Sequence, residues 1–329
     1  MNEGNTGFKD RSMGLVICGI VEILIGVFLA LLAPLSLAAV ALTSAPASGT
    51  SSLRSALPAA VLYLVLAAIF VVLGIGSIRA RRWARDLMLS LSWVWLLTGL
   101  CSLILVGVLL PAVLGTTISS AGLPSGIMQL VAAVIFGVLV VLYVVLPGAF
   151  VLFYRSPHVA ATCRARDDRP QWTDDCPPPV LSLTVIWALA AVSIFVMPAY
   201  RFVMPFFGIL IDGVAGAAMW AAALVVCVAL AWGTCRRAPW AWWGSMAATV
   251  VAAASSVLTF ARIGLHDFYV ALDLPSDQLA LMSSLPTPRP SVTAVLCAVV
   301  WGSFVVYLIT VRKFFGARRT RDARAGGVG

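Results

Sequence analysis

The chain has 329 residues, 61% of them hydrophobic and only 11% charged, with a formal net charge of +9. A mean hydropathy of +1.02 excludes a water-soluble globule, whose surface needs far more polar side chains. The positive charge falls in short patches between apolar runs, which excludes the continuous basic face of a nucleic-acid binder and reads as a set of topology determinants.

Eight runs have membrane-spanning length: 13–42, 57–78, 87–111, 127–154, 180–205, 212–233, 240–261 and 291–311. Each is apolar on all sides and long enough to cross a hydrocarbon core ~30 Å thick, so the pattern predicts helices and not the alternating strands of a barrel. The first run follows Lys9 and Arg11 and precedes a small-residue stretch, Ala45 to Ala47, as a secretory signal does. Its apolar region is about twice the ~7 to 15 residues of a signal peptide, so a retained first helix is expected.

That helix carries Glu22, roughly 13 Å past its start at 1.5 Å per residue. A carboxyl inside lipid is costly unless neutral, paired or wet, and so is a functional candidate by default. Ser12, Gly19, Gly26 and Ala33 recur at seven-residue spacing on the same helix, a stripe that lets another helix approach closely. Around the second turn, Arg79, Arg82 and Trp83 form an interfacial anchor, matched in the other half by Arg236 and Trp240. Helix three carries Ser92, Thr98 and Ser102, and helix seven carries Thr249, Ser255 and Thr259. These hydroxyls are candidates for a polar path, although such groups in membrane helices more often bond their own backbone or a neighbour.

Residues 155–179 read as a polar linker and 312–329 as a basic tail; an interfacial helical turn is compatible with the loop at 262–290. With the N-terminus cytoplasmic, eighteen of the 22 Lys and Arg residues fall on the inner side. This bias predicts both termini inside a cell membrane, by default a bacterial cytoplasmic membrane. The halves also align. Gly76-Ser77-Ile78-Arg79 and Trp83-Ala84 match Gly233-Thr234-Cys235-Arg236 and Trp240-Ala241 at an offset of 157. The expected architecture is all-α, with eight transmembrane helices as two parallel four-helix repeats, 1–154 and 180–311.

No phosphate-cradling loop, nucleophile motif or metal-ligand spacing is found, so no cofactor, metal site or catalytic set is expected. The expected partner is a lipid bilayer with an anionic inner leaflet, not nucleic acid. Two function classes remain open: a non-catalytic membrane assembly or organising subunit, and a secondary transporter with Glu22 and the hydroxyl stripes in its proton or substrate path.

Overall fold

The computed structural model describes residues 9–43, 49–121, 125–169, 171–174, 176–274, 279 and 289–315. The loop at 44–48, Asp277, Pro286, Pro288 and the tail from 316 onward lie outside the described residues. Among the described residues seven helices are long and apolar enough to cross a membrane: Ser12–Leu42, Ala56–Ile78, Arg82–Ile104, Gln129–Tyr154, Gly213–Cys235, Pro239–Arg262 and Pro290–Phe314. The chain is a multi-pass, nearly all-helical membrane protein.

The helices given by the described residues include α1 (Ser12–Thr43), α2 (Gly49–Ile78), α3 (Arg82–Ala121), α4 (Ser125–Val140), α5 (Leu146–Tyr154), α6 (Pro157–Arg166), α7 (Pro178–Ile194), α8 (Gly213–Cys235), α9 (Pro239–Arg262), α10 (Leu265–Ala271) and α11 (Pro290–Val311). A π-helical turn, Val141–Val145, joins α4 to α5 without a break. Pro147 explains it, because proline cannot donate to the carbonyl four residues back, that of Tyr143, and its ring crowds that oxygen. Gly99 of α3 packs there; a Cβ would meet the Tyr143 oxygen at 2.5 Å.

Two segments depart from the sequence expectation. The fifth apolar run, expected to stay helical to residue 205, leaves the helix at Ile194 after 17 residues. It continues as a 3-10 turn, Met197–Tyr200, and a hairpin of β1 (Met204–Phe206) and antiparallel β2 (Ile209–Ile211). Pro198 and Pro205 lack amide donors, and Phe207 (φ 46°) with Gly208 (φ 96°) closes a two-residue turn. The hairpin's backbone groups are satisfied by α9. Phe207 N–H donates to Ser255 Oγ (3.2 Å), Gly208 N–H to Thr259 Oγ1 (3.0 Å), and the Ser255 hydroxyl to the Pro205 carbonyl (2.8 Å). Irregular backbone beside lipid persists only with such internal partners.

The other departure is α6, a helix within the expected linker. Its side chains bind the amides ahead of α1, with Lys9 N–H on His158 Nδ1 (3.3 Å) and Arg11 N–H on Thr162 Oγ1 (3.1 Å). Asp10 accepts from both the Ser12 amide and its hydroxyl, which holds the Asp10 carboxyl below its usual range.

The bundle is built from helix pairs: α1 along α2, α3 against α4 and α5, α7 against α8, and α9 against α11, with α3 meeting α7 between the halves. In the first pair Gly19 and Gly74 face each other, so a Cβ on either would lie 2.7 Å from the other's carbonyl oxygen. Gly26 meets Ala67 and Val71 in the same way. The stripe foreseen on helix one thus lies in a helix contact close enough for backbone to touch backbone.

The turns after α2 and α8 are built alike. Ala80 N–H bonds Ser77 O and Arg81 N–H bonds Gly76 O, both at 2.9 Å; Arg237 N–H bonds Thr234 O and Ala238 N–H bonds Gly233 O, also at 2.9 Å. Ala80 (φ 49°) and Arg237 (φ 53°) take the left-handed conformation that this helix termination requires. In both turns the indole two or three residues beyond, Trp83 or Trp240, covers the helix's last glycine, Gly76 or Gly233.

Candidate functional site

Glu22 on α1 is fully buried. Tyr154 at the end of α5 places its hydroxyl 2.6 Å from Glu22 Oε1, and Ser77 in the last turn of α2 donates to Oε2 at 3.0 Å. The two hydroxyl oxygens are themselves 2.9 Å apart. Because Ser77 and Tyr154 end their helices, Glu22 is level with the Arg-rich boundary of the bundle and not with its middle. Tyr154 itself belongs to a buried apolar cluster with Leu15, Phe70, Leu73, Met88 and Phe150. Three contacts join the carboxyl and two hydroxyls, and two hydroxyls carry only two protons. The ring closes with one proton per contact when Glu22 is a carboxylic acid.

The hydroxyl stripes are engaged one by one. Ser92 donates to Met88 O (2.7 Å), Thr98 to Val94 O (2.8 Å), Ser102 to Thr98 O (2.8 Å) and Thr249 to Ser245 O (2.7 Å). Ser255 and Thr259 hold the hairpin. Among the described residues no hydrogen bond joins the helix-three stripe to the helix-seven stripe, and none joins either to Glu22. Further polar ties lie between helices of the second half. Thr184 meets Thr234 (3.0 Å), Trp187 Nε1–H donates to Ser245 (3.0 Å), and Trp242 Nε1–H donates to Leu308 O (2.8 Å).

Of the expected anchors, Arg79, Arg236 and Trp240 are exposed and Trp83 is half-buried. The Arg236 guanidinium stacks 4.2 Å over Trp232, and Arg312 lies 5.1 Å over Trp242. Arg82 is turned toward protein instead, with Nη1 3.0 Å from Asp174.

Two cavities accompany these groups. One of about 380 Å³ is lined by Arg201, Phe202, Val214 and Asp273 among others; Arg201 there lies 3.6 Å from Asp212 and 3.9 Å from Asp273. The other, about 280 Å³, opens between the start of α3, α6 and the segment 173–178. Neither is lined by Glu22 or by the hydroxyl stripes. Compared with family models, with curated proteins and with solved structures, the chain matches none of them.

Sequence reasoning missed Tyr154 and Ser77 as the partners of Glu22. A phenol and a hydroxyl at the last turns of two apolar helices were the available signal, but nothing in a single helix's periodicity pairs them with a carboxyl on a third. Cys163 and Cys176 lie in the segment that reads as a polar linker, yet both are buried. Burial pushes the Cys163 thiol up to about 11. At neutral pH its thiolate fraction falls about a hundredfold below that of an ordinary cysteine. Maleimide labelling of Cys163 should therefore stay slow even in opened membranes and rise with pH up to about 11. Labelling as fast as that of a cysteine placed at exposed Arg164 would contradict this burial.

Proposed function

We propose that this chain is a non-catalytic membrane subunit that acts by packing against other transmembrane helices, built as two parallel four-helix repeats. In this reading α7 is the eighth crossing. Its 17 residues reach about 25 Å at 1.5 Å per residue, which a locally thinned bilayer accommodates. Both ends and the Arg-rich turns then face the cytoplasm, as the arginine bias favours. Support for the duplication comes from the matching turns after α2 and α8, and from the equivalent pairing of the first helix of each half with its second, α1 with α2 and α7 with α8. The exposed Arg79, Arg236 and Trp240, with Trp83 beside them, act as anchors toward an anionic leaflet.

The observation that carries the reading is the fate of Glu22. The carboxyl that a proton-coupled carrier would need is bonded within the protein, near one boundary, by groups from two other helices. Where such a subunit would assemble is suggested by two open faces. Ala133-x-x-x-Gly137 on α4 and Ala298-x-x-x-Gly302 on α11 share the surrounding pattern, and nothing lies within 4 Å of a Cβ built on either glycine. Small residues spaced by four let helices approach closely in lipid.

Two measurements test this. In a mild detergent the chain should run in an assembly larger than its own 34.7 kDa, and Gly137→Leu with Gly302→Leu should shrink that assembly while leaving the monomer folded. In proteoliposomes under an imposed proton gradient, the native chain and Glu22→Gln should move protons equally, at the background rate of empty liposomes. Proton or solute movement lost in Glu22→Gln would replace this reading with the transporter.

A further inference from the structure

Among the described residues only three buried side-chain polar atoms lack a hydrogen-bond partner: Arg82 Nε, Thr173 Oγ1 and Thr293 Oγ1. Two of the three belong to residues lining the same 280 Å³ cavity. Buried donors without acceptors are uncommon, because each costs the desolvation of its group, and an unbonded pair at one cavity marks the place of an acceptor supplied from outside.

The charges around the cavity define that acceptor. Its lining includes three arginines, Arg82, Arg85 and Arg164, against two aspartates, Asp86 and Asp174. Both acids are already engaged: Asp86 by Arg85 at 2.7 Å, Asp174 by Arg82 Nη1 at 3.0 Å and by the Gln171 amide at 2.9 Å. The Thr173 hydroxyl leans on the Asp86 carboxyl, whose charged form it favours, and has no other hydrogen-bond partner. Arg164 is exposed and forms no ion pair with any described residue. One guanidinium and one Nε–H are thus left over, beside a hydroxyl that only the already paired Asp86 engages, with one positive charge in excess. The cavity also lies at the membrane boundary, since Arg82 begins α3 and Pro178 begins α7.

We propose that this cavity binds a phosphate group, through Arg82 Nε–H, the Thr173 hydroxyl and the Arg164 guanidinium. Donors of this kind suit phosphate oxygens, and a guanidinium presents them in a fixed fork. Two sources share the chemistry: inorganic phosphate, and the phosphate monoester head group of phosphatidic acid.

The full chain in phosphatidylcholine nanodiscs is titrated with sodium phosphate, with sodium chloride holding ionic strength constant. A second series replaces part of the phosphatidylcholine with phosphatidic acid, without free phosphate, and a third uses phosphatidylglycerol, a diester. The readout is the thermal unfolding midpoint. A saturable rise with phosphate assigns the soluble anion. A rise with phosphatidic acid exceeding that with phosphatidylglycerol, and no response to free phosphate, assigns the head group. In either case Thr173→Val and Arg82→Lys, which keeps the charge but lacks the Nε–H, should each weaken the response about tenfold. Arg236→Gln, at the exposed stacked arginine, should leave it unchanged. Should Arg82→Lys fail to fold, Thr173→Val alone decides. No saturable response to either probe, or a response that Thr173→Val leaves intact, overturns the proposal.

Discussion

Gly19→Leu should abolish the α1–α2 pair and leave little folded protein in the membrane fraction. A Cβ at residue 19 meets the Gly74 carbonyl oxygen and an Ile78 side-chain carbon at 2.7 Å, and the Ile78 backbone nitrogen at 3.0 Å. Two of these neighbours are backbone atoms of a continuous helix, so relief requires the helices to separate. Overpacking in a closed core typically costs about 1 to 3 kcal/mol, and Gly19→Ala should fall in that range, with Gly19→Leu beyond it. Gly74→Ala should cost a similar amount, because Gly74's Cβ meets the Gly19 oxygen at 2.7 Å. The double alanine variant should cost less than the sum, since both remove one close approach. Gly137→Ala and Gly302→Ala serve as controls. Nothing lies within 4 Å of a Cβ at either position, so each should stay within about 0.5 kcal/mol of the native chain. Unfolding in mixed detergent micelles measures the five alanine variants. Helix propensity alone favours alanine over glycine, so equal changes at Gly19 and Gly137 would show that the close contact does not set the cost.

What was legible in the sequence follows from where the information lies. The spanning helices are encoded locally, because a charge-free run of sufficient length has one low-energy form in lipid. The Gly19 and Gly26 stripe is likewise a property of one helix face, and the structure lays that face on α2. The hairpin after α7 was hidden for the same reason. Residues 195–211 are as apolar as a membrane helix, and what ends the helix is Pro198 and Pro205 together with the hydroxyls of Ser255 and Thr259, some 50 residues away. Helix α6 escaped notice because its sequence, Pro157–Arg166, is short and polar, and it is held in place by contacts to α1 and α3. The Glu22 site was half legible. An isolated intramembrane acid announced itself, while its partners stand 55 and 132 residues away on other helices.

That arrangement sets the second large effect. If the ring around Glu22 closes on a neutral acid, Glu22→Gln should be well tolerated, because an amide can also turn a donor and an acceptor to Tyr154 and Ser77, with one N–H to spare. The expected loss is under about 1 kcal/mol, whereas Glu22→Ala removes two buried bonds and leaves a void, and should cost about 2 to 4 kcal/mol. Tyr154→Phe keeps the packing of its ring on Phe150 and Phe153 and loses only the hydroxyl, for about 1 to 2 kcal/mol. The Glu22→Ala, Tyr154→Phe double variant should lose less than the two singles combined, since each single already breaks their shared contact. Thermal or detergent unfolding of the four variants against the native chain measures the set. A Glu22→Gln protein as unstable as Glu22→Ala would mean that the site needs a negative charge. The ring as counted here, with a proton in each of its three contacts, would then be wrong.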